Sequence, residues 1–203
     1  DILNHSIVNL AGIPVLNIRS TPMVGTNRLI KAMEDKLIAG FILLCISPIL
    51  LIISLLIKLD SKGPILYRQK RIGWNGKAFD MLKFRTMPVD AEQTSGPVWA
   101  KEGENRATRL GVWLRKTSLD ELPQFINVLC GHMSIVGPRP ERMFFVDQFK
   151  EQIPRYMQKH LVKAGITGWA QVHGWRGNTS LEKRIEYDLY YIENWSLALD
   201  IKI

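Results

Sequence analysis

The 203-residue chain reads as an α+β protein, mainly helical, with one long apolar helix and a short β-hairpin after it. Three observations predict this. Residues 37–57, between Lys36 and Lys58, form a run of 21 residues without a charge. As a helix that run is about 31 Å long, the thickness of a bilayer's hydrocarbon core. Two strand-like runs, residues 65–68 and 78–83, flank "WNGK", whose Asn-Gly pair favours a tight hairpin. Leu181, Ile185, Leu189 and Ile192 recur at helical spacing and fall on one face.

The elements follow in order. "DILNHSIVNLAG" reads as a short helix closed by Gly12, "IPVLNI" as a strand and "RSTPMVGTN" as loop. "NRLIKAMEDK" is a charged helical lead into the apolar run. Within that run Pro48 removes a backbone donor and crowds the carbonyl of residue 44, which kinks a helix near its midpoint. The Ser47 hydroxyl can bond a carbonyl so freed. Arg28, Lys31 and Lys36 precede the run; Lys58, Lys62, Arg68, Lys70 and Arg71 follow it. Lys/Arg-rich flanks stay on the cytoplasmic side, and here both flanks qualify. A kinked helix that enters and returns on one face satisfies both observations; a kinked ordinary span also stands.

Residues 88–108 are polar and irregular, with Gly96, Pro97 and Gly103, and read as a long functional loop. "RLGVWLRKTSLDELPQFINVLCG" carries helical periodicity. "ERMFFVDQFKEQI" is another helix, limited by Pro154. "GITGWAQVHGWRG" is punctuated by glycine and holds two tryptophans. The tyrosines of "SLEKRIEYDLYYIENWSL" and Trp195 suit a membrane interface and an ordinary core equally.

Composition narrows the function. Net charge is +8, and residues 58–116 hold 13 Lys/Arg against 6 Asp/Glu. Such a block is either a solvated basic surface or a site for an anion: nucleic acid, an anionic membrane or a phosphorylated substrate. Cys45 and Cys130 show no framework spacing, which fits a reducing compartment. The four histidines make no metal-ligand pair and no C-x-x-C occurs, so no zinc site is expected. The P-loop, the dinucleotide glycine pattern and the G-x-S-x-G elbow are all missing.

The most suggestive stretch is "KTSLDELPQ". Ser118 with Glu121 three residues on is a capping box, and Asp120 sits in the first turn, where the helix dipole favours an anion. That structural reading accounts for the pattern by itself. The same geometry also keeps a carboxylate ionised, as a nucleophile or a Mg²⁺ ligand must be, and Asp120 and Glu121 offer two hard oxygen ligands. Lys83 and Arg85 in "KFRTM", Arg115, and Arg139 in "VGPRP" are natural phosphate partners.

Together "KRIGWNGKAFDMLKFRTM", "LRKTSLDELPQFINVLCGHMSIVGPRPE", "GITGWAQVHGWRG" and "YDLYYIENWSLALDIKI" resemble the catalytic domain of the bacterial sugar transferases, over residues 28–203. These are monotopic polyprenyl-phosphate phosphoglycosyltransferases, and the likeness is closest to undecaprenyl-phosphate glucose phosphotransferases of colanic-acid-type exopolysaccharide synthesis. The resemblance implies a small membrane-associated catalytic domain at residues 59–203 and a re-entrant helix within 25–58, broken at Ser47 and Pro48. Residues 1–24 would be the C-terminal remnant of an upstream Rossmann-like domain. Asp120 matches the family's nucleophile and Glu121 its Mg²⁺ ligand, with Asp120 beside it. Lys83, Arg85, Arg115 and Arg139 match phosphate-binding positions, and Asp188 matches an acid near the site.

The implied reaction moves a sugar 1-phosphate, glucose 1-phosphate by closeness of resemblance and galactose 1-phosphate as the alternative, from a UDP-sugar to undecaprenyl phosphate. The implied setting is the cytoplasmic face of the bacterial inner membrane, among membrane lipids. Nucleic acid is not an expected partner, and a homodimer through regions outside this chain is compatible. The rival is a non-catalytic membrane-anchored scaffold.

Overall fold

A computed structural model describes the backbone of residues 6–10, 13–17, 21–88, 107–177 and 179–203. Most of the 88–108 loop lies outside the described residues.

The first element corrects the expectation. Ser6–Leu10 (β1) is a strand, not a helix, and pairs antiparallel with Ile13–Asn17 (β2). "SIVNL" carries two β-branched residues and supports a strand as well as a short helix; the neighbouring strand decides between them.

Helix α1 (Gly25–Asp60) is continuous and long and apolar enough to cross a membrane. The expected break at Ser47 and Pro48 is bridged: helix runs through it, and the Ser47 hydroxyl donates to Leu44 O at 2.9 Å. That is the carbonyl whose usual partner, the N–H of residue 48, proline lacks.

Both arms of α1 rest on the same body. In the first arm Lys31 Nζ bonds Asp35 Oδ1 at 3.0 Å and Asp200 Oδ2 at 2.8 Å. Asp35 Oδ1 in turn accepts from Ser134 Oγ and Ile135 N, each at 3.0 Å. In the second arm Ile53 and Ile57 pack with Phe84 and Leu114. Between and around these anchors the helix presents an apolar face, with Leu37, Phe41, Leu44 and Leu51 each about 70% exposed.

The hairpin forms as expected. Leu66–Ile72 (β3) pairs antiparallel with Ala78–Phe84 (β4), from Leu66 opposite Phe84 to Ile72 opposite Ala78. Asn75 (φ 53°) and Gly76 (φ 69°) make the turn, a left-handed pair that Asn-Gly adopts at little cost.

The expected helical region after residue 108 is divided. Arg109–Lys116 (α2) and Gln124–Leu129 (α3) are separated by a 3₁₀ turn, Leu119–Glu121. The capping box does not form. Ser118 sits at φ 56°, in the left-handed region, and its side chain makes no cap bond. An N-cap needs extended backbone, and Pro123 stops a regular first turn from continuing through the acids.

Ser134–Val136 (β5) and Gly165–Thr167 (β6) form a small parallel pair that the sequence reading missed. Met143–Phe149 (α4) and Trp169–Val172 (α5) precede Leu181–Glu193 (α6) and Leu197–Lys202 (α7). Helix α6 buries Ile185, Leu189 and Ile192, three of the four residues assigned to its inner face. Its core role extends to Tyr191 and Trp195, which are buried and bond Asp200 at 2.8 and 2.9 Å; Trp195 is not an interfacial residue.

Candidate active site

Two close backbone approaches and one side-chain tie assemble the site. A Cβ on Gly111 would stand 2.1 Å from Thr86 O, so only glycine lets α2 lie against the end of β4. This contact brings Arg115 to Thr86, where its Nε donates to Oγ1 at 2.9 Å. A Cβ on Gly165 would stand 2.1 Å from Gly137 N, which lets the "VGPRP" and "GITGW" segments touch. Asn127 then ties α3 to the β4 edge: Leu82 N donates to its Oδ1 at 2.9 Å, and its Nδ2 donates to Asp80 O at 2.8 Å. The 3₁₀ turn ahead of α3 is thereby held against Lys83.

Glu121 is the electrostatic centre. Its Oε1 accepts from Lys83 Nζ and from Arg139 Nη2, each at 2.8 Å. Arg176 Nη2 stands 3.8 Å from the same oxygen. Burial pushes the Glu121 carboxyl up, but Arg139 and Lys83 outweigh it and hold the group well below the usual carboxylate range. Its side chain is only 11% exposed, so these are strong, partly desolvated charge-assisted bonds.

Asp120 is different. It is buried, and among the described residues no side chain donates a hydrogen bond to it. Burial raises its pKa first, with Lys83 and Arg115 pulling it down and Glu121 pushing it up. One carboxylate is thus clamped by cations while its neighbour stays uncommitted. In a 3₁₀ turn successive side chains lie about 120° apart, so the two acids face different directions.

Arg139 is positioned from below by Arg71 on β3, whose Nη1 donates to Pro140 O at 3.1 Å. Burial lowers Arg71 to about 10. Neither Arg71 nor Arg176 was singled out from the sequence. Four cations, Lys83, Arg115, Arg139 and Arg176, therefore surround two carboxylates.

Two expected site residues lie elsewhere in the network. The Arg85 guanidinium is spent on the end of α1: Nη1 donates to Lys62 O at 2.9 Å, and Nη2 to Ser61 O at 2.7 Å and Ser61 Oγ at 2.8 Å. Its geometry is that of a helix cap. Asp188 is fully buried on α6, and its charged neighbours are Lys159, Glu141 and Arg184. Lys159 Nζ is 3.9 Å from Asp188 Oδ2 and 3.6 Å from Glu141 Oε1, and Arg184 Nη1 is 3.3 Å from Glu141 Oε1. This second cluster adjoins the dyad through Glu141, whose charge also acts on Arg139 and Arg71. Burial pushes Asp188 up to about 6.

An apolar cleft of about 760 Å³ adjoins the site. Leu50 and Ser54 of α1, Ile65 and Tyr67 of the hairpin, Phe84 and Pro123 line it. Pro123, two residues beyond Glu121, is the lining residue closest to the dyad along the chain.

Among the described residues no group of three or more His, Cys, Asp or Glu forms a metal cage. Asp120 and the second oxygen of Glu121 supply two hard oxygens, the small protein share that Mg²⁺ takes when phosphates complete its shell. The donor chemistry fits that ion.

A family model described as "Bacterial sugar transferase" matches residues 26–203. The chain is 49% identical, over its whole length, to the UDP-glucose:undecaprenyl-phosphate glucose-1-phosphate transferase of Escherichia coli K12, of which it covers 44%. It is 47% identical over 86% of its length to the UDP-N-acetylgalactosamine-undecaprenyl-phosphate N-acetylgalactosaminephosphotransferase of Aeromonas hydrophila, covering 41% of that protein. It is 45% identical over 79% of its length to the exopolysaccharide production protein PSS of Rhizobium leguminosarum bv. phaseoli, covering 84%. The chain spans less than half the length of the first two.

Proposed function

This chain belongs to the bacterial sugar transferase family, and from that premise we propose that it transfers a sugar 1-phosphate from a UDP-sugar to undecaprenyl phosphate, releasing UMP. The observation that carries the proposal is the asymmetry of the dyad, a clamped Glu121 beside an uncommitted Asp120. A carboxylate held off from every side-chain donor is free to attack.

In the first half-reaction an Asp120 oxygen attacks the phosphorus that bears the sugar. The phosphoanhydride bond breaks, and its electron pair leaves with UMP. In the second, a phosphate oxygen of the acceptor attacks the same phosphorus and frees Asp120. Lys83, Arg115 and Arg139 offset the charge that collects on the transferring group. Mg²⁺, held by Glu121 with Asp120, would neutralise phosphate oxygens. The apolar cleft lined by Leu50 and Phe84 would seat the first isoprene units of the acceptor.

Glucose 1-phosphate is the proposed group, since relatives named for UDP-glucose align over the whole chain. A relative named for UDP-N-acetylgalactosamine at 47% identity makes the sugar a matter for a panel of donors, galactose included.

The acceptor is a lipid, and re-entry of α1 from the cytoplasmic face brings it to the dyad. Both arms of α1 pack on one body, at Lys31 and at Ile57, and a spanning helix would place them on opposite faces. Ala32→Cys and Asp60→Cys, made singly in a Cys45→Ser, Cys130→Ser background, should both label from the cytoplasmic side only. Opposite accessibility sinks the re-entrant reading.

The reaction itself is tested by UMP release from UDP-glucose. Wild type incubated without acceptor should release one UMP per enzyme and carry the phosphosugar on Asp120 by peptide mass. UMP that forms only when acceptor is present rules out the covalent intermediate.

A further inference from the structure

Residues 174–177, "GWRG", form a turn between two left-handed glycines, Gly174 at φ 82° and Gly177 at φ 76°. Only backbone without a Cβ adopts those angles easily, so the turn is a shaped element and not a passing loop. It is pinned at both ends: Trp175 N donates to Ala170 O at 2.9 Å, and Arg184 Nη2 donates to Gly177 O at 2.7 Å.

The turn offers two side chains of different chemistry. Arg176 is exposed and reaches within 3.8 Å of Glu121 Oε1, too far for a hydrogen bond and close enough for a loose ion pair. Trp175, about 3.8 Å back along the chain, is partly exposed. Its ring lies 6.0 Å from Tyr187, and Tyr187 lies 5.1 Å from His173. The planes are tilted by 50° and 49°, so neither neighbour covers a ring face as a stacked partner does. The row continues from His173 to Trp169 at 4.0 Å, so it runs along the packed seam of α5 and α6, and its Trp175 end is the one that adjoins a cation of the dyad.

We propose that Trp175, backed by Tyr187, is the platform on which the uracil ring of the donor stacks, with Arg176 meeting the phosphate of the departing UMP. The inference rests on the donor being a UDP-sugar. When Asp120 forms its bond to phosphorus, the anhydride electron pair passes to the UMP oxygen, and the leaving phosphate gains a negative charge. Arg176 is an exposed, loosely held cation of the site, and can turn from Glu121 to that phosphate. The Escherichia coli relative and the Aeromonas relative differ in the sugar that they are named for but share UDP. A flat aromatic face beside an arginine suits that shared part, a planar base and a phosphate.

The experiment compares Trp175→Leu, which keeps apolar bulk and loses the π-face, with Trp175→Phe, which keeps a ring. Each is assayed for inhibition of UMP-forming turnover by UMP and by glucose 1-phosphate, which has the sugar phosphate and no base. Base stacking of ordinary strength predicts a UMP inhibition constant about tenfold higher in Trp175→Leu and restored to within about threefold in Trp175→Phe, with the glucose 1-phosphate constant unmoved. A change in the glucose 1-phosphate constant alone assigns the platform to the sugar and overturns the proposal. Equal weakening of both inhibitors, or no change in either, reduces the row to packing and overturns it too. Failure of wild type to form UMP at all would strike the parent reading instead.

Discussion

Arg139→Met tests how the dyad is held. The change keeps an unbranched, largely apolar stem and removes the guanidinium and its charge. Glu121 then loses one of two 2.8 Å bonds to its Oε1 and keeps the one from Lys83. A hydrogen bond to a charged group contributes about 1.5–3 kcal/mol, and both partners are largely shielded here, with side chains 24% and 11% exposed. At about 1.4 kcal/mol per tenfold, kcat/KM for UMP release should fall about ten- to two-hundredfold. The Glu121 carboxyl should also titrate higher, because it loses one of the two cations that hold it down. The shift starts well below the usual range, so at pH 7 the carboxylate remains ionised and the loss is one of position and phosphate charge. The discriminating assay is a double-mutant cycle with Glu121→Gln, read as coupled UMP release at pH 7. Arg139→Met should cost less in the Glu121→Gln background than in wild type, the remainder being its direct contribution to phosphate charge. Additive losses, or a single Arg139→Met variant within twofold of wild type, would refute the clamp.

Four further outcomes follow from the geometry. Asp120→Asn should abolish UMP release. In wild type the acid limb of kcat/KM should fall at a pH above the ordinary aspartate value of 3.8, since burial raises Asp120 and the attacking form is the carboxylate; a limb at or below 3.8 contradicts this. Asp188 has a folded pKa of about 6 against 3.8, so the native state holds its proton more tightly than the unfolded chain. Its contribution makes stability decline between about pH 4 and pH 6, by about 3 kcal/mol in all, and flat above that. Thermal melts in detergent should show that decline in wild type and not in Asp188→Asn; matching curves would exclude it. Arg85→Met should lower Tm by leaving the Ser61 and Lys62 carbonyls uncapped, at a cost of about 2–4 kcal/mol. A normal Tm with lost UDP-sugar affinity would return Arg85 to phosphate binding.

The sequence shows its local patterns clearly. The hairpin is legible because Asn75 and Gly76 adopt left-handed backbone at little cost, and β-pairing on either side follows from that turn. The inner face of α6 is legible because 3.6-residue spacing groups Ile185, Leu189 and Ile192 whatever lies opposite. Ser47 and Pro48 are legible as a unit because the freed carbonyl is three residues back from the serine. Strand β1, where the sequence suggests a helix, shows the limit, since five residues with three apolar positions fit both periods until a partner strand is present.

The site is legible in its residue types and not in its pairings. Asp120 and Glu121 stand out as neighbouring acids, and the sequence by itself determines that they share one turn, that basic residues abound nearby in the chain, and that an apolar helix precedes them. Only the tertiary structure decides which cation serves which acid. Lys83 meets Glu121 from 38 positions away and Arg139 from 18, while Arg85, two residues from Lys83, turns to the end of α1. Asp188 goes to a separate buried cluster and Arg176 arrives at the dyad unannounced. The physical reason is range. Helix and turn preferences are set within about four residues, where the pattern is printed in the chain. Charge pairing acts through space, and its geometry depends on where close backbone approaches such as Gly111 to Thr86 and Gly165 to Gly137 leave each side chain.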